Sequence, residues 1–437
     1  MSLRKNLYQN FLWRGVYFAT VFALNVGVAR FYEAGMSGWI NFISNNFSLA
    51  LLIGSLSLET GVTYFGATDE SNQGRLAVFA LAWSALISII FIFISGYLVS
   101  HSPGIASKGL ISFASVSYVS GILLCNFFMN LFIIKKEYAA PNIILCFFNV
   151  LLLVFIPKED GTSLFGIFDK NTYLYFYYAA YVLQGIALVI CYMLLYGFQN
   201  WSFPGRVLLK KLFRYSLIAL AGNLVFFFVY RVDYWFIDYY RNNDAEMGNY
   251  IQASKLGQML LVGANIIAGT VFPQTAGGIG LKENMSRQLQ LISRNLLLMF
   301  LVMGVVVFLC GSRLFEWVFG SSFDTMFWPF LILLPGIYCL SVLLVMSAYF
   351  SGINRPGVNV AGALCGLVVI IAGDLLLIPK MGIIGAAMVS TAGYAVCMAY
   401  ALIAFKRSSS ADISGFFTYR RGDQNWLKKW IQMIYEK

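Results

Sequence analysis

Charged residues are scarce in this chain. Asp, Glu, Lys and Arg together make up 11% of its 437 residues, against about 25% in ordinary soluble domains, while 59% are hydrophobic. A chain this apolar has too few polar groups to cover a surface facing water, whereas lipid demands no such cover. Histidine is almost missing. The one present, His101, falls in a polar break, which argues against a histidine-based site. Seven cysteines (Cys125, Cys146, Cys191, Cys310, Cys339, Cys365 and Cys397) lie inside apolar runs with no paired spacing, so neither a metal site nor a disulfide framework is indicated. Gly277-Gly278-Ile279-Gly280 is glycine-rich but lacks the strand and the lysine of a phosphate-binding loop, which argues against nucleotide chemistry.

What the chain has in place of these is a series of long apolar runs. Twelve of them, separated by polar breaks, cover roughly 10–31, 39–65, 76–99, 109–134, 139–156, 172–197, 209–238, 248–272, 289–311, 327–351, 357–378 and 383–405. Most approach the ~20 residues a helix needs to cross a bilayer. Arg4 and Lys5 ahead of the first run imitate a secretion signal, but the run is too long for one and lacks a clear cleavage site, so it is read as the first span. Pro141 and Pro356 sit where segments begin, a place helices tolerate proline. Pro329 and Pro335 fall inside segment ten, which is expected to bend.

An even number of spans puts both ends on one side, and Lys and Arg decide which. Twenty-one of the 30 basic residues fall on the terminal side, including Lys135, Lys136, Lys210, Lys211, Arg214, Arg287, Arg294 and seven in the tail. Seven fall opposite, and Arg231 and Lys255 lie within spans. Both termini are therefore expected in the cytoplasm. Most of the net charge of +11 is this topology signal and calls for no nucleic-acid partner. The tail from Arg420 to Lys437 reads in two ways. It is either an amphipathic helix with Trp426, Trp430, Ile431 and Ile434 on one face, lying on the anionic inner leaflet, or simply more of the positive-inside signal.

The chain also looks duplicated. Met36-Ser37-Gly38-Trp39-Ile40-Asn41 opens segment two, and Met247-Gly248-Asn249-Tyr250-Ile251-Gln252 opens segment eight. Six spans return a chain to its starting side, so two such halves would be parallel repeats. The expected fold is an all-α integral membrane protein with 12 transmembrane helices in two six-helix lobes. The lobes would cover 1–200 and 201–406, followed by a cytoplasmic basic tail, 407–437.

The second half carries the most distinctive residues. Tyr230-Arg231-Val232-Asp233-Tyr234-Trp235-Phe236-Ile237 closes segment seven, and Asn249-Tyr250-Ile251-Gln252-Ala253-Ser254-Lys255-Leu256 opens segment eight, which ends Val271-Phe272-Pro273. Phe319-Gly320-Ser321-Ser322-Phe323, Ile332-Leu333-Leu334-Pro335-Gly336 and Pro379-Lys380-Met381-Gly382-Ile383-Ile384-Gly385-Ala386-Ala387 follow. In this order and spacing the set resembles the polysaccharide-exporter branch of the MOP (MATE-like) superfamily, and within it the Wzx-type flippases of O-antigen and capsule repeat units. The resemblance implies two six-helix lobes around a central cavity that opens alternately to either side. It implies outward movement of an undecaprenyl-diphosphate-linked oligosaccharide across the bacterial inner membrane, with membrane lipids and a glycan polymerase or other assembly proteins as partners and no catalytic residues or bound cofactor. The alternative kept open is a MATE-like cation-coupled drug exporter. A membrane enzyme such as a glycan polymerase or ligase is disfavoured, because the longest outer loop, 157–171, is short for a catalytic one.

Ionisable residues at membrane depth are costly and usually face a protein interior or a wet cavity. Arg14 and Arg30 lie near the two ends of segment one, where snorkelling to headgroups competes with contact to a substrate diphosphate, which the planar guanidinium suits. Lys255 is too deep to snorkel easily, so it serves either the substrate or a buried pair. Arg231 and Asp233, two residues apart on one helix, point to different faces and cannot simply neutralise each other. Asp233, Asp374, Ser390 and Thr391 fall at one level near the outer face. They could form an oxygen-ligand cation site or a proton-sharing pair, or Asp374 could pair with Arg231. Some lipid II flippases bind sodium through acids on helices seven and eleven and a hydroxyl on helix twelve, so the resemblance implies ion coupling by Na+ or H+ through Asp233, Asp374 and either Ser390 or Thr391. The asparagine such sites carry one turn before the second acid is Ile370 here. Glu59, near the inner end of segment two, either lines the cavity or packs on a basic loop. Gly362, Ala363, Gly366 and Gly373 read as a close helix-packing stripe.

Overall fold

The computed structural model describes residues 3–101, 108–157, 169–197, 201–276, 282–409 and 412–418. The amphipathic-tail reading, the Gly277–Gly280 run and most of the 157–171 loop lie outside these residues. Every long described element is an α-helix. This follows from the sequence, because runs of apolar residues in lipid leave the backbone no water to bond, and a helix satisfies its N–H and C=O groups internally. The helices are α1 (Leu3–Ser55), α2 (Leu58–Thr68), α3 (Gln73–His101), α4 (Lys108–Ile134), α5 (Ala139–Val154), α6 (Lys170–Tyr196), α7 (Arg206–Arg241), α8 (Asp244–Ala276), α9 (Lys282–Phe319), α10 (Phe327–Gly352) and α11 (Gly357–Ser409).

Nine stretches among the described residues are long and apolar enough to cross a membrane, and two of them, 44 residues in α1 and 52 in α11, are each long enough for two crossings. α5 is a shorter apolar helix. The twelve apolar segments therefore all appear as helix, but three boundaries differ from the sequence reading. Segments one and two are joined without a loop; α1 continues through the expected connection and breaks only at Glu33 (φ 56°, ψ 180°). Segments eleven and twelve join in the same way at Gly382 (φ 58°, ψ −136°), a conformation that glycine adopts at little cost. Segment two is itself interrupted at Leu56 and Ser57, both in the left-handed region, before α2 completes it. Polar residues marked the loops in the sequence, but a one-residue kink needs no polar run and so left no such mark. Pro329 occupies the first turn of α10, and Pro335 lies within that helix.

Two compact units are present. The first is Met1–Glu33 with Trp39–Leu224, and the second is Ala34–Gly38 with Val225–Lys437. The chain thus passes from one to the other inside α7. In the first unit α4 packs along α6, with α3 and α2 on its other sides. Gly121 and Gly185 let the α4 and α6 backbones meet, since a side chain at Gly121 would strike the Tyr181 backbone. Phe127, Phe128, Leu131, Phe132 and Leu188 are wholly buried around this contact. Hydroxyl pairs cross the same core, Ser48 with Tyr118 (2.7 Å) and Ser44 with Tyr178 (3.3 Å). Glu59 stands in the first turn of α2 with its Oε2 buried and without a hydrogen-bond partner. Of the two readings given for it, the contact with a basic loop is not seen as an ion pair among the described residues.

In the second unit α10 is central, packed against α8 on one side and α11 on the other. The five residues Ala34–Gly38 join this unit by a close backbone approach. Ala34 N–H donates to Ser322 Oγ (3.0 Å), and Gly38 and Gly248 stack with no space for a side chain on either. The two opening motifs of the internal repeat therefore meet each other. At the other end a short 3₁₀ turn, Ile413–Phe416, docks on α9. Gln290 Nε2 donates to the Asp412 carbonyl (2.9 Å), Arg294 Nη1 donates to the Thr418 carbonyl (3.0 Å), and Phe416 is buried. Arg294, counted above among the topology-setting cations, is 3% exposed and acts instead as a clamp on this turn.

The glycine stripe of α11 is where the two arms of that helix touch. A side chain at Gly366 would collide with Cys397 Sγ and the Gly393 carbonyl, and one at Gly373 with the methyls of Val389. Gly366→Ala is expected to lower stability by about 1–3 kcal/mol through overpacking. The same change at Gly304 on α9, where nothing lies within 4 Å, should be neutral or raise stability, because alanine is the better helix former. Thermal unfolding of the purified variants in detergent compares the two.

Candidate functional site

The polar residues of the second unit are organised by the α7–α8 hairpin. Its tip is fixed by a bidentate ion pair, Arg241 Nε to Glu246 Oε2 and Nη2 to Oε1, both 2.8 Å. The Asn243 side chain accepts from the N–H groups of Ala245 and Glu246, which caps α8. From this tip the two helices run back antiparallel, and polar rungs cross between them. Asp233 of α7 meets Tyr250 of α8, whose hydroxyl donates to Asp233 Oδ2. Tyr234 OH lies 3.1 Å from Ser254 Oγ, and Gln258 Nε2 donates to the same serine oxygen (3.1 Å).

α11 brings the remaining groups. The contact of Gly373 with Val389 sets the two arms of that helix side by side, and the next residues along each arm, Asp374 and Ser390, are both wholly buried. Ser390 Oγ donates to Asp233 Oδ2 at 2.9 Å, so that one oxygen accepts two hydroxyl protons. Asp233 Oδ1 has no partner, and neither oxygen of Asp374 has one. Asp233 and Asp374 lie near enough for the charge of one to act on the other. Tyr394, also wholly buried, is within reach of the Asp233 charge. Two carboxyl groups are thus held together away from water, with hydrogen-bond donors supplied to only one of them.

Several expected placements change. The pairing of Asp374 with Arg231 is not formed, since neither oxygen of Asp374 has a hydrogen-bond partner. Arg231 instead lies over the ring of Phe227, 5.2 Å from its centroid. It is also near enough to Lys255 for the two cations to repel. Of the two hydroxyl candidates, Ser390 belongs to the acid site. Thr391, one residue on, turns away and donates to the Ile332 carbonyl of α10 at 2.7 Å. Ile370 is wholly buried and packed against Gly393. Arg14 and Arg30 are exposed residues of α1 in the first unit. No group of three or more His, Cys, Asp or Glu residues that could hold a metal ion occurs among the described residues. Tyr250 was missed as a site residue. The signal for it was the hairpin register, because a residue about two turns into α8 faces one about two turns back along α7.

This architecture was compared with known proteins. No family model matches the sequence. A probable low-salt glycan biosynthesis flippase, Agl15 of Haloferax volcanii, is 23% identical over 193 residues. That match spans 43% of this chain and 40% of the relative, so the chain covers well under two thirds of Agl15. Solved structures match over far more. The MATE transporter VcmN of Vibrio cholerae, in its bent form, superposes with a TM-score of 0.62, at 15% identity, over 95% of this chain and 99% of its own. The lipid II flippase MurJ, in an inward closed conformation, gives 0.67 at 13% identity over 97% of each chain. This chain shares the fold of these solved structures. It is the fold that the motif set of the second half implied, and the nine long apolar stretches among the described residues are those of a multi-pass membrane protein.

Within that fold the doubly bonded oxygen of Asp233 is a local keystone. Tyr250→Phe and Ser390→Ala each remove one donor from a buried acceptor and should each cost about 1–3 kcal/mol. Thermal melts of the two single variants and the double measure this. Because the two donors share one acceptor, the double variant should deviate from the sum of the singles.

Proposed function

We propose that this chain is a flippase for a polyprenyl-diphosphate-linked oligosaccharide, undecaprenyl-linked in bacteria, carrying it from the cytoplasmic to the periplasmic leaflet of the inner membrane. The observation that carries this reading is the presence of two basic side chains at membrane depth in the second unit. Arg231 on α7 and Lys255 on α8 lie close enough to feel each other. Basic residues at such depth are rare and mark substrate pathways, and they suit an anionic ligand such as a diphosphate. Arg14 and Arg30, exposed on α1, would extend the same preference. The motif resemblance to Wzx-type flippases supports the reading, as does the likeness to MurJ and Agl15, proteins named for flipping lipid II and for glycan biosynthesis. Asp233, Asp374 and Ser390 would then couple the cycle to an ion gradient, while Thr391, bound to α10, would not take part. Glycan polymerase and related assembly proteins are the partners such a role would require.

A second reading, a MATE-like exporter of cationic drugs, draws on the likeness to VcmN and on the buried acid pair. The two readings separate on one pair of measurements. If the chain is a glycan flippase, Lys255→Ala, Arg231→Ala and Arg14→Ala should abolish surface glycan in a strain that depends on the protein, with its membrane level unchanged, and drug tolerance should not respond. Normal surface glycan in all three variants, or drug tolerance that rises with expression and falls with Asp233→Asn, would favour the exporter.

A further inference from the structure

The first unit carries an exposed pair of aromatic rings, held where α2 meets the first half of α7. Three contacts join these helices. Asn223 Nδ2 of α7 donates to the hydroxyl of Ser57, the residue before α2 (3.1 Å). Gly61 lies so close to Leu212 and Ser216, both wholly buried, that a side chain at Gly61 would strike them. One turn further along α2, Tyr64 stacks on Tyr215, with ring centroids 4.9 Å apart and planes 14° from parallel. Phe65 meets both rings edge-on. Phe213, two residues before Tyr215, packs in the same way against Phe79 and Trp83 of α3. The pair therefore stands on a packed base, yet Tyr64 and Tyr215 keep 49% and 39% of their surface exposed.

Tyrosines at a membrane interface usually stand with the ring in the apolar layer and the hydroxyl among headgroups. The face that bears Tyr64 is of another kind. Apart from Phe65, the residues of α2 that stay accessible are Glu59, Thr60, Thr63, Tyr64, Ala67 and Thr68. At 3.6 residues per turn they fall within one half of the helix circumference. That half holds no aliphatic side chain larger than alanine. The lipid-type face of α9, by contrast, exposes Leu301, Val302, Val305, Val306 and Leu309. A carboxylate and three threonines belong in water, not hydrocarbon. Thr63 donates its proton to the Glu59 carbonyl (2.9 Å), which leaves its oxygen as an acceptor. On α7, Lys211 and Arg214 are exposed, one turn and one residue before Tyr215. Flat rings beside such polar groups match the two aspects of a sugar. Its weakly positive C–H face is drawn to the negative face of tyrosine, and its hydroxyl edge exchanges hydrogen bonds with threonine, carboxylate and cationic side chains. An acyl chain would leave the polar groups unused, and a phosphate would leave the rings unused.

We propose that Tyr64 and Tyr215 form a stacking platform for a sugar ring of the carried oligosaccharide. The identity of the glycan rests on the flippase reading, but the platform is tested with the sugar alone. The probe is the oligosaccharide released by mild acid from the lipid-linked pool of the strain that carries this protein, fluorescently labelled at its reducing end. It is titrated against the full chain in lipid nanodiscs. Tyr64→Leu and Tyr215→Leu, which keep apolar bulk but remove a ring, should each weaken binding about tenfold, roughly the worth of one stacked aromatic contact. Tyr64→Phe and Tyr64→Trp, which keep a ring in place, should retain it. Undecaprenyl diphosphate, titrated against the same samples, should bind the leucine variants as it binds the unaltered chain. The proposal is overturned by any of three results: no sugar binding by the unaltered chain, unchanged binding in both leucine variants, or a loss in the phenylalanine and tryptophan variants as large as in the leucine ones. An equal fall in undecaprenyl diphosphate binding would overturn it too, because it would mark the pair as a headgroup contact. If the Lys255, Arg231 and Arg14 variants kept normal surface glycan while the leucine variants lost the sugar, the flippase reading would fail and the platform would stand.

Discussion

The constraint from which this structure follows is that a polar group inside a lipid-spanning helix must find its partner within the protein. Each unpaired group otherwise costs free energy of the order of a lost hydrogen bond or more. Across most of the chain the constraint is met by omission, with hydrophobic residues at 59% and charged residues at 11%. Where polar side chains do occur inside spans they are drawn to one another. In the first unit they are mostly hydroxyls and amides, such as Ser48 with Tyr118 or Asn149 with Thr20, with Glu59 Oε2 among the atoms left without a partner. In the second unit they include ionisable groups, and there the satisfaction is incomplete. Asp374 and one oxygen of Asp233 remain open. Asn249 Oδ1 and both polar atoms of Gln252, beside Tyr250, are open as well, so several of the unsatisfied groups gather on the α7–α8 side of this unit.

The helical content, the number of apolar segments and the second-half motifs could all be read from the residues, because apolar length and turn-forming polar runs are local properties. The same local logic missed the joints. The expected loops after segments one and eleven are single-residue kinks at Glu33 and Gly382, and nothing in a hydropathy pattern distinguishes a kink from a short loop. Asp233, Asp374 and Ser390 could be singled out because buried acids are rare at such depth and depth can be counted along a helix. The choice between Ser390 and Thr391 could not be made in the same way. Adjacent residues differ by about 100° around a helix, and which of the two meets Asp233 depends on how the arms of α11 rotate against α10. Tyr250 escaped for a related reason, since a tyrosine in an apolar run reads as core until the register of the hairpin is known. Arg294 erred in the opposite direction, because charge counting treats every cation as exposed.

Glycine packing and the acid site are physically one feature. Asp374 and Ser390 follow directly after Gly373 and Val389, and it is the missing side chain of Gly373 that lets the second arm of α11 come close enough for Ser390 to reach across to Asp233 on α7. The hairpin tip fixes the other side. Gly382 lies against the Arg241–Glu246 pair, where the guanidinium Nε would be 3.1 Å from a side-chain carbon, so the kink of α11 and the end of α7 are held to each other. α7, α8 and both arms of α11 are therefore registered against one another at a contact outside the acid site, and this fixed register delivers the carboxyls to each other. A change at the hairpin tip would reach the acid pair through helix position alone. That makes the Arg241–Glu246–Gly382 contact a structural determinant of the site, although none of its atoms belongs to the site.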